Sequence, residues 1–361
     1  MTMQAQAQTA RPSANDAARL VKEEARQLGF DLCGIAPARR LDPARLDRWF
    51  ERGWDAPAIS YVRERRAERL DPSRLVPDGR SVIALGTSYA PELPEQPARG
   101  ELVVARYAQG RDYHNVVLKP ARKLAAWLRA KFAARVYCEV DTGAVMEKAW
   151  AQEAGIGWIG KNGCLINERL GSWLLLGALI TDLELASDAP HADRCGDCSA
   201  CIPACPTSAI AEPRYVDANR CLAYHTIEHR GPIPPELARV ASGRVFGCDA
   251  CQDVCPWNRR APAGTFVQLH ARPEQRALDT ADVLRLTTEE TWRRYEGTPL
   301  LRAGRDGLVR SALAVAPRPL SEELRTIAEL LADDPAPGVR DAARRALSES
   351  ITTTGESPPL R

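Results

Sequence analysis

Apolar positions in the first half of the chain repeat with both strand and helix periods. The run 82–85 is continuously apolar after a Pro/Asp/Gly turn, which predicts a buried strand. Apolar residues alternate with polar ones over 136–140, as they do in a half-buried strand. Between these strands, residues 118–129 have helical spacing, and 144–154 form another helical stretch that ends before a glycine. Residues 15–187 are therefore expected to form an α/β or α+β domain.

Beyond residue 277 the pattern is helical throughout. Apolar stripes over 324–331 and 339–347 flank the Asp/Pro/Gly-rich break 333–338, which predicts an antiparallel helical hairpin. Its sequence texture is similar to one HEAT-type repeat, a unit that buries its apolar face against neighbours. A HEAT-like α-helical domain is expected over 275–350.

The composition changes abruptly between these two regions. Residues 188–262 carry eight of the 11 cysteines, interleaved with Pro, Gly, Asp and Ala. So few apolar residues build little core, and bound metal is expected to hold this segment together. The expected fold class is α+β: an α/β domain over 15–187, a cysteine-rich domain over 188–262 and the helical domain, with disordered ends at 1–14 and 351–361.

Charge and hydropathy limit how the chain could bind nucleic acid or a membrane, since such binding must use local patches. The 49 basic and 47 acidic residues give a net charge of +2, so the chain as a whole is not drawn to nucleic acid or anionic membrane. The longest strongly apolar run, 173–180, is far shorter than the roughly 20 residues that cross a bilayer, and 1–15 have no export signal. A cytoplasmic protein is expected, in which cysteines serve metal or catalytic roles more often than disulfides.

The first cysteine run has a highly specific spacing. Cys195, Cys198, Cys201 and Cys205, followed by Pro206, fit C-x2-C-x2-C-x3-C-P, the run that binds 4Fe–4S clusters in bacterial ferredoxins. The fourth cysteine of such a run binds a neighbouring cluster, so a second cluster is required. A bacterial-ferredoxin-like domain with two clusters is therefore predicted over 188–262.

The chain supplies the remaining ligands. Cys248, Cys251 and Cys255 repeat the second half of the motif, and Cys221 lies between the two runs. The crossing rule predicts one cluster on Cys195, Cys198, Cys201 and Cys255, and another on Cys205, Cys221, Cys248 and Cys251. Zinc is the alternative metal for these cysteines. A structural zinc site also uses C-x2-C pairs, but it is complete with four ligands and usually has a longer loop between its two cysteine pairs. Cys33, Cys138 and Cys164 are interpreted as packing residues.

Two further features have both a structural and a functional interpretation. Residues 155–160 match G-x-G-x-x-G, but they follow a helix, so a glycine-rich loop lying close to a flat or bulky ligand is preferred over a dinucleotide site. Lys161 and Asn162 extend this loop. Asp141 follows a strand and precedes a helix, so it is either a helix N-cap or a general acid at a strand end. His225 and His229 could be surface or capping residues.

A local excess of arginine lies in 293–318, where six arginines face two acids, Glu296 and Asp306. The structural interpretation is a solvated face. The functional interpretation is contact with a phosphate backbone, with Arg302 and Arg305 as neighbours at helical spacing.

Taken in order, several stretches resemble the epoxyqueuosine reductase family. They are Arg106-Tyr107-Ala108 with Gly110-Arg111-Asp112-Tyr113-His114, Asp141-Thr142-Gly143, residues 155–163, the two cysteine runs and Thr298-Pro299-Leu300-Leu301-Arg302-Ala303-Gly304-Arg305. The resemblance implies an enzyme that reduces epoxyqueuosine to queuosine at the wobble position of tRNA, the last step of queuosine biosynthesis. It also implies cobalamin in the first domain, supplied with single electrons by the two clusters.

The resemblance further implies roles for particular residues. Asp141 would donate a proton to the expelled oxygen. Arg106, Tyr107 and the loop residues Gly160, Lys161 and Asn162 would line the corrinoid pocket, and His225 would lie near cofactor and substrate. The string from Asp112 to Val117 lacks the glycine of D-x-H-x-x-G, so cobalamin is expected without a histidine ligand from the protein. Cys164 falls near the expected pocket.

Three other functions compete with this interpretation. A corrinoid reductive dehalogenase would share the clusters and the cobalamin, but such enzymes resemble exported proteins. An electron-transfer protein without its own substrate would not need so large a non-cluster domain. A nucleic-acid-binding protein could use the clusters as structural elements. The expected partners are tRNA carrying epoxyqueuosine and a low-potential electron donor, with no membrane, and the chain is expected to be a monomer.

Overall fold

The computed structural model describes residues 12–90 and 101–352. The ends predicted to be disordered lie outside these residues, except that 12–14 lead into the first helix and 351–352 end the last one.

The helices and strands alternate through the first part of the chain and become almost wholly helical later. The helices are α1 (Ala14–Gln27), α2 (Ala44–Glu51), α3 (Tyr61–Glu64), α4 (Arg66–Leu70), α5 (Tyr113–Phe132), α6 (Glu147–Glu153), α7 (Cys201–Ala204), α8 (Leu222–Ile227), α9 (Pro235–Arg239), α10 (Ala250–Asp253), α11 (Pro273–Arg276), α12 (Thr280–Leu284), α13 (Thr288–Tyr295), α14 (Gly304–Val315), α15 (Glu322–Leu331) and α16 (Pro337–Thr352). The strands are β1 (Leu32–Pro37), β2 (Ser81–Ser88), β3 (Leu102–Val104), β4 (Val136–Glu139), β5 (Trp158–Ile159), β6 (Leu165–Ile166), β7 (Leu174–Thr181), β8 (Ile210–Glu212), β9 (Tyr215–Val216), β10 (Arg244–Phe246) and β11 (Ala277–Leu278).

The main sheet has the strand order β1-β2-β7-β4, and every neighbouring pair is antiparallel. The predicted strands at 82–85 and 136–140 are confirmed as β2 and β4, and the predicted helices appear as α5 and the shorter α6. The α/β description of this domain is wrong, because a sheet with only antiparallel pairs makes it α+β. Apolar periodicity reveals strands but not their direction, which explains the error.

Helices cover both faces of the sheet. Ile83 and Leu85 point toward a core that includes α1 and α5, whereas Val82 and Ala84 point toward a core that includes α6. Successive side chains of a strand face opposite sides, so a strand buried on both faces is apolar at every position. This geometry accounts for the unbroken apolar run in β2.

A second sheet joins distant parts of the chain. β3 pairs in parallel with β10 and antiparallel with β11, so strands from before, within and after the cysteine-rich segment share one sheet. Its side chains pack into the same core as helices α12 to α16, which includes the predicted hairpin α15–α16. The cysteine-rich segment is thereby held between the first domain and the helical domain.

The cysteine-rich segment itself has only small apolar clusters. The two groups centred on Leu222 and Ala218 contain few buried side chains. In the described part of the chain, no helix combines the length and apolar character needed to cross a membrane.

Candidate functional site

Asp141 lies in a tight loop after β4 and is not a helix cap. The residue that precedes α6 is Met146, and Asp141 has a left-handed backbone with φ of 64°. Thr142 N–H donates to Val140 O at 2.8 Å across Asp141, and Asp141 N–H donates to Glu147 Oε1 at 2.9 Å. A non-glycine residue with positive φ persists only where its surroundings hold it. Contacts from outside the loop therefore hold Asp141 in this conformation. The N-cap interpretation is wrong, because Met146 and not Asp141 precedes α6.

The start of α5 supplies the partners of this carboxylate. Tyr113 donates its hydroxyl to Asp141 Oδ2 at 2.9 Å, and His114 Nε2 lies 3.1 Å from the same oxygen. The other ring nitrogen of His114 lies 2.8 Å from Asp112 Oδ1, and Asp112 also caps the helix by accepting the His114 N–H at 3.0 Å. His114 therefore bridges two carboxylates.

The bridge fixes the charge of each group. Burial alone would lower the pKa of His114, but the hydrogen bonds to Asp112 and Asp141 outweigh it and raise the pKa to about 9. Burial would raise the pKa of Asp141, but the hydrogen bonds from His114 and Tyr113 lower it below its ordinary value. At neutral pH the proton of this group therefore lies on the imidazole, in contact with an ionised Asp141.

A second carboxyl group lies behind the loop. Burial raises the pKa of Glu147 to about 7, and the charge of Asp141 contributes to that rise. Arg69 opposes it from nearby. The Arg69 side chain is buried, its Nε has no hydrogen-bond partner, and its guanidinium lies 5.8 Å from the ring centre of Tyr61.

The predicted tRNA contacts divide into two different environments. Arg302 pairs through two nitrogens with Glu228, at 3.0 and 2.9 Å, and is close enough to Asp141 to help lower its pKa. Tyr61 lies near the same charges, because Asp141 and Glu228 both help to raise its pKa after burial. Arg305 instead donates to Asp334 at 2.6 Å and keeps only 15% of its side chain exposed. Both arginines are therefore in ion pairs, but only Arg302 lies near the charge of Asp141.

Arg106 and Tyr107 connect this site to the cysteine-rich segment. Arg106 donates its backbone N–H to Asp249 at 2.8 Å, its guanidinium pairs with Asp253, and it stacks 4.8 Å from the Trp173 ring centre. Burial raises the pKa of Tyr107, and the charges of Asp141 and then Asp249 raise it further. Tyr107 therefore lies close to both carboxylates.

Close packing within the protein accounts for the glycine-rich loop. A Cβ on Gly157 would lie 2.2 Å from Ile166 O, and one on Gly160 would lie 2.4 Å from the Ile166 side chain. The loop runs from α6 into β5 and does not open a helix, so it lacks the geometry of a dinucleotide site. Lys161 donates to Gly196 O at 2.7 Å, and Asn162 Nδ2 lies 3.5 Å from Cys251 O, so both face the cysteine-rich segment.

Four thiols form one group beside a pair of tryptophans. Burial raises the pKa of Cys201 to about 11, and the neighbouring thiols of Cys195, Cys255 and Cys198 add to the rise. Trp158 donates its indole N–H to Cys195 Sγ at 3.4 Å and packs with buried Cys255. This group is the first of the two sets expected from the sequence.

The other four thiols form a second group. Burial raises the pKa of Cys221, with Cys205 adding to the rise, and burial raises the pKa of Cys248 to about 11, with Cys221 adding to it. The pKa of Cys251 is raised by the hydrogen bond that its thiol donates to Cys164, and further by burial and by Cys248 and Cys221. Cys164 is therefore a neighbour of this set.

Each set consists of four thiols, which is the ligand complement of a 4Fe–4S cluster. Among the described residues no three His, Cys, Asp or Glu side chains are placed to hold a single metal ion. Cys33 and Cys138 lie apart in β1 and β4, where burial raises the pKa to about 12 and about 11.

His225 is buried in α8 next to the second thiol group. Its Nε2 lies 2.7 Å from Asn219 O, its Nδ1 has no partner, and burial lowers its pKa. The buried guanidinium of Arg310 in α14 donates to the carbonyls of His225 at 2.6 Å, Gly231 at 3.0 Å and His229. The helical domain thus fixes the segment that follows Cys221.

The sequence did not indicate several groups of the Asp141 site. Tyr113 and His114 belong to a stretch used for the family resemblance, yet only the fold brings them to Asp141. Glu147 and Tyr61 carried no signal, because each depends on contacts between separate elements. The adjacent Asp112, Tyr113 and His114 at a helix start were the one available clue.

Comparison with known proteins finds matches over nearly the whole chain. Residues 194–258 match the family model "4Fe-4S double cluster binding domain", and residues 69–142 match "Epoxyqueuosine reductase QueG, DUF1730". An epoxyqueuosine reductase of Gloeobacter violaceus is 42% identical over 301 residues, covering 81% of this chain and 93% of the relative. One from Xanthomonas campestris pv. campestris is 37% identical over 357 residues, covering 94% and 98%.

Solved structures agree with these relatives. An epoxyqueuosine reductase crystallised with an epoxyqueuosine-modified tRNA-Tyr stem loop has a TM-score of 0.82 at 27% identity, covering 93% of this chain and 90% of that one. The epoxyqueuosine reductase of Streptococcus thermophilus has a TM-score of 0.83 at 26% identity, covering 95% of both chains.

Proposed function

The chain belongs to the epoxyqueuosine reductase family, and from this premise we propose that its Asp141 site reduces epoxyqueuosine in tRNA with bound cobalamin and two 4Fe–4S clusters. The observation that carries this proposal is a path of contacts from Asp141 toward the second thiol group. Tyr113 donates to Asp141 and packs edge-on against Tyr107 at 5.8 Å between ring centres. The neighbouring Arg106 donates its backbone N–H to Asp249, which follows Cys248 in the chain. The proton-bearing His114–Asp141 pair and the second cluster would thus lie on either side of Arg106 and Tyr107. Family membership favours this reaction over reductive dehalogenation and over electron transfer without a substrate.

The reaction needs protons as well as electrons. Removal of an epoxide oxygen as water, leaving an alkene, consumes two electrons and two protons. Cobalamin, when bound, supplies a strongly nucleophilic reductant for the carbon–oxygen bond. Asp141 donates one proton to the departing oxygen, and His114 supplies that proton across their 3.1 Å contact. The second proton, which completes the water, comes from solvent. Tyr113 and the backbone contact to Glu147 hold the Asp141 carboxylate in position.

The side chains present are compatible with cobalamin bound without a protein histidine. Both ring nitrogens of His114 lie against carboxylates, so neither offers a free lone pair to cobalt. Arg106 and Tyr107 line the side of the corrinoid pocket toward the second cluster. Gly160, Lys161 and Asn162, which face the cysteine-rich segment, and His225 within that segment are assigned to the same pocket. Arg302 and Tyr61 form the outer side, where we place the tRNA.

The domain roles follow from the same argument. We assign 15–187 to the cobalamin-binding reductase domain, 188–262 to a ferredoxin-like domain and 275–350 to a HEAT-like domain that contacts tRNA. The cluster ligands are the two sets of four cysteines described above. Both arginines are in ion pairs, but Arg302 keeps 45% of its side chain exposed against 15% for Arg305, so Arg302 is the stronger candidate for contact with tRNA. We place the protein in the cytoplasm, because its tRNA substrate is there. We expect it to act as a monomer.

Anaerobic reconstitution tests the proposal. The protein is loaded with iron, sulfide and cobalamin, reduced, and incubated with tRNA bearing epoxyqueuosine, and the nucleosides are analysed by mass spectrometry. Loss of one oxygen that depends on added cobalamin is the expected result. Bound clusters and cobalamin without any conversion would contradict the assigned substrate.

A further inference from the structure

The two thiol groups differ in their access to solvent. Among the described cysteines Cys198 alone is classed as exposed, and it belongs to the first group. The second group lies toward Asp249, which contacts Arg106 and lies near Tyr107 of the Asp141 site. If the two groups hold clusters as proposed above, electrons enter at the first and leave from the second.

Exposed arginines lie on the segments that pack beside the first thiol group. Trp257 packs with Trp158 at a centroid distance of 5.1 Å beside Cys195, and Arg259 and Arg260 follow on exposed positions after Asn258. The Asn167–Gly171 turn packs on the same segment, because Ser172 N–H donates to Asn258 Oδ1 at 2.6 Å. This turn brings exposed Arg169 to the same rim.

The rim has a positive excess. Its acids are Glu168, Asp193 and Asp197, of which Glu168 pairs with Arg194 at 2.7 Å and Asp193 pairs with Arg214. Within the described residues, the side chains of Arg169, Arg259 and Arg260 form no ion pair or hydrogen bond. Three free guanidinium groups therefore stand against one free carboxylate, Asp197.

We propose that this rim, defined by Arg169, Arg259 and Arg260 around Cys198, is the docking surface for an acidic one-electron carrier protein. Complementary charge accelerates encounter and orients the partner, and here it would bring the carrier's redox centre to the exposed end of the electron path. RNA also carries negative charge, but the free arginines border the solvent-exposed thiols, whereas the Asp141 site faces Arg302 and Tyr61.

Charge reversal tests the surface. The variant is Arg259→Glu/Arg260→Glu. The matched control is Lys119→Glu/Lys123→Glu, at exposed positions of α5, a helix that packs on the main sheet and carries no residue of the rim. Reduced plant-type ferredoxin serves as the acidic carrier, and its oxidation by reconstituted enzyme is followed by stopped-flow absorbance. Gallium-substituted ferredoxin, which cannot transfer electrons, reports binding by calorimetry.

The rim variant is expected to lower the second-order rate constant about tenfold at low salt, and the difference should vanish near about 0.5 M salt. Its affinity for gallium ferredoxin should fall in parallel, while the control matches the wild type. Equal rates and affinities in all three proteins would overturn the proposal, as would a loss of tRNA affinity without loss of ferredoxin affinity. Turnover driven by methyl viologen reports separately on the proposed function, because the ferredoxin binding measurement does not depend on it.

Discussion

Replacing His114 by Gln should expose how the Asp141 site holds its proton. The two carboxylates raise the pKa of His114 from 6.5 to about 9. At about 1.4 kcal/mol for each pKa unit, this difference corresponds to about 3 kcal/mol favouring the imidazolium in the folded protein. His114→Gln keeps a hydrogen-bonding side chain but removes the titrating group.

The sign of the pH dependence follows from the raised pKa. The stabilising contribution is fully present below the unfolded value of 6.5 and is lost as pH rises through about 9. Wild-type turnover driven by methyl viologen should therefore decline with an alkaline limb near pH 9. His114→Gln should lower turnover by about a hundredfold or more and abolish that limb, because proton donation contributes factors of this size.

The assay measures turnover and the thermal midpoint of the cluster-loaded protein between pH 6 and pH 10. Lys119→Gln, which removes an exposed cation from the same helix, is the control and should behave as wild type. The midpoint difference between His114→Gln and wild type should be largest at pH 6, shrink as pH rises through about 9, and be small at pH 10. An unchanged alkaline limb in the variant, or a midpoint difference independent of pH, would refute the reasoning.

Three further predictions address the acid, the clusters and the helical domain. Asp141→Asn should retain iron and cobalamin but lose at least about a hundredfold in turnover, and near-normal turnover would remove Asp141 from the mechanism. Cys205→Ala should damage the second cluster and Cys201→Ala the first. Electron paramagnetic resonance of the reduced protein distinguishes the signals of the two clusters, and identical spectra from the two variants would contradict the ligand sets. Arg310→Met leaves three main-chain carbonyls without their donor and should lower the free energy of unfolding by about 3 kcal/mol. Its thermal midpoint should be lower than that of the control Arg325→Met, which replaces an exposed arginine.

Local patterns predicted the secondary structure well where one element decides it. The buried strand β2 and the hairpin α15–α16 both follow from spacing within a short window. The direction of the strands did not follow, because each of β1, β7 and β4 pairs with a partner far along the chain. The second sheet, built from β3, β10 and β11, was also missed, since its short strands depend on contacts between separate regions.

The same division applies to the candidate site. The motif spacing alone predicted two clusters and a grouping of the eight cysteines, because a C-x2-C-x2-C-x3-C-P run imposes its own local geometry. The charge of the Asp141 site required the fold: His114 meets Asp141 across 27 residues, and that contact decides where the proton lies.

Arg302 and Arg305 differ for the same reason. Both were candidates for tRNA contact by their spacing, but Glu228 and Asp334 lie 74 and 29 residues away from them in the chain. The sequence by itself determined the longer elements, the presence of two clusters and the family, because each of these depends on short stretches of residues. Tertiary structure decided protonation, pairing and exposure, because burial and charge act through space between side chains that the sequence keeps apart.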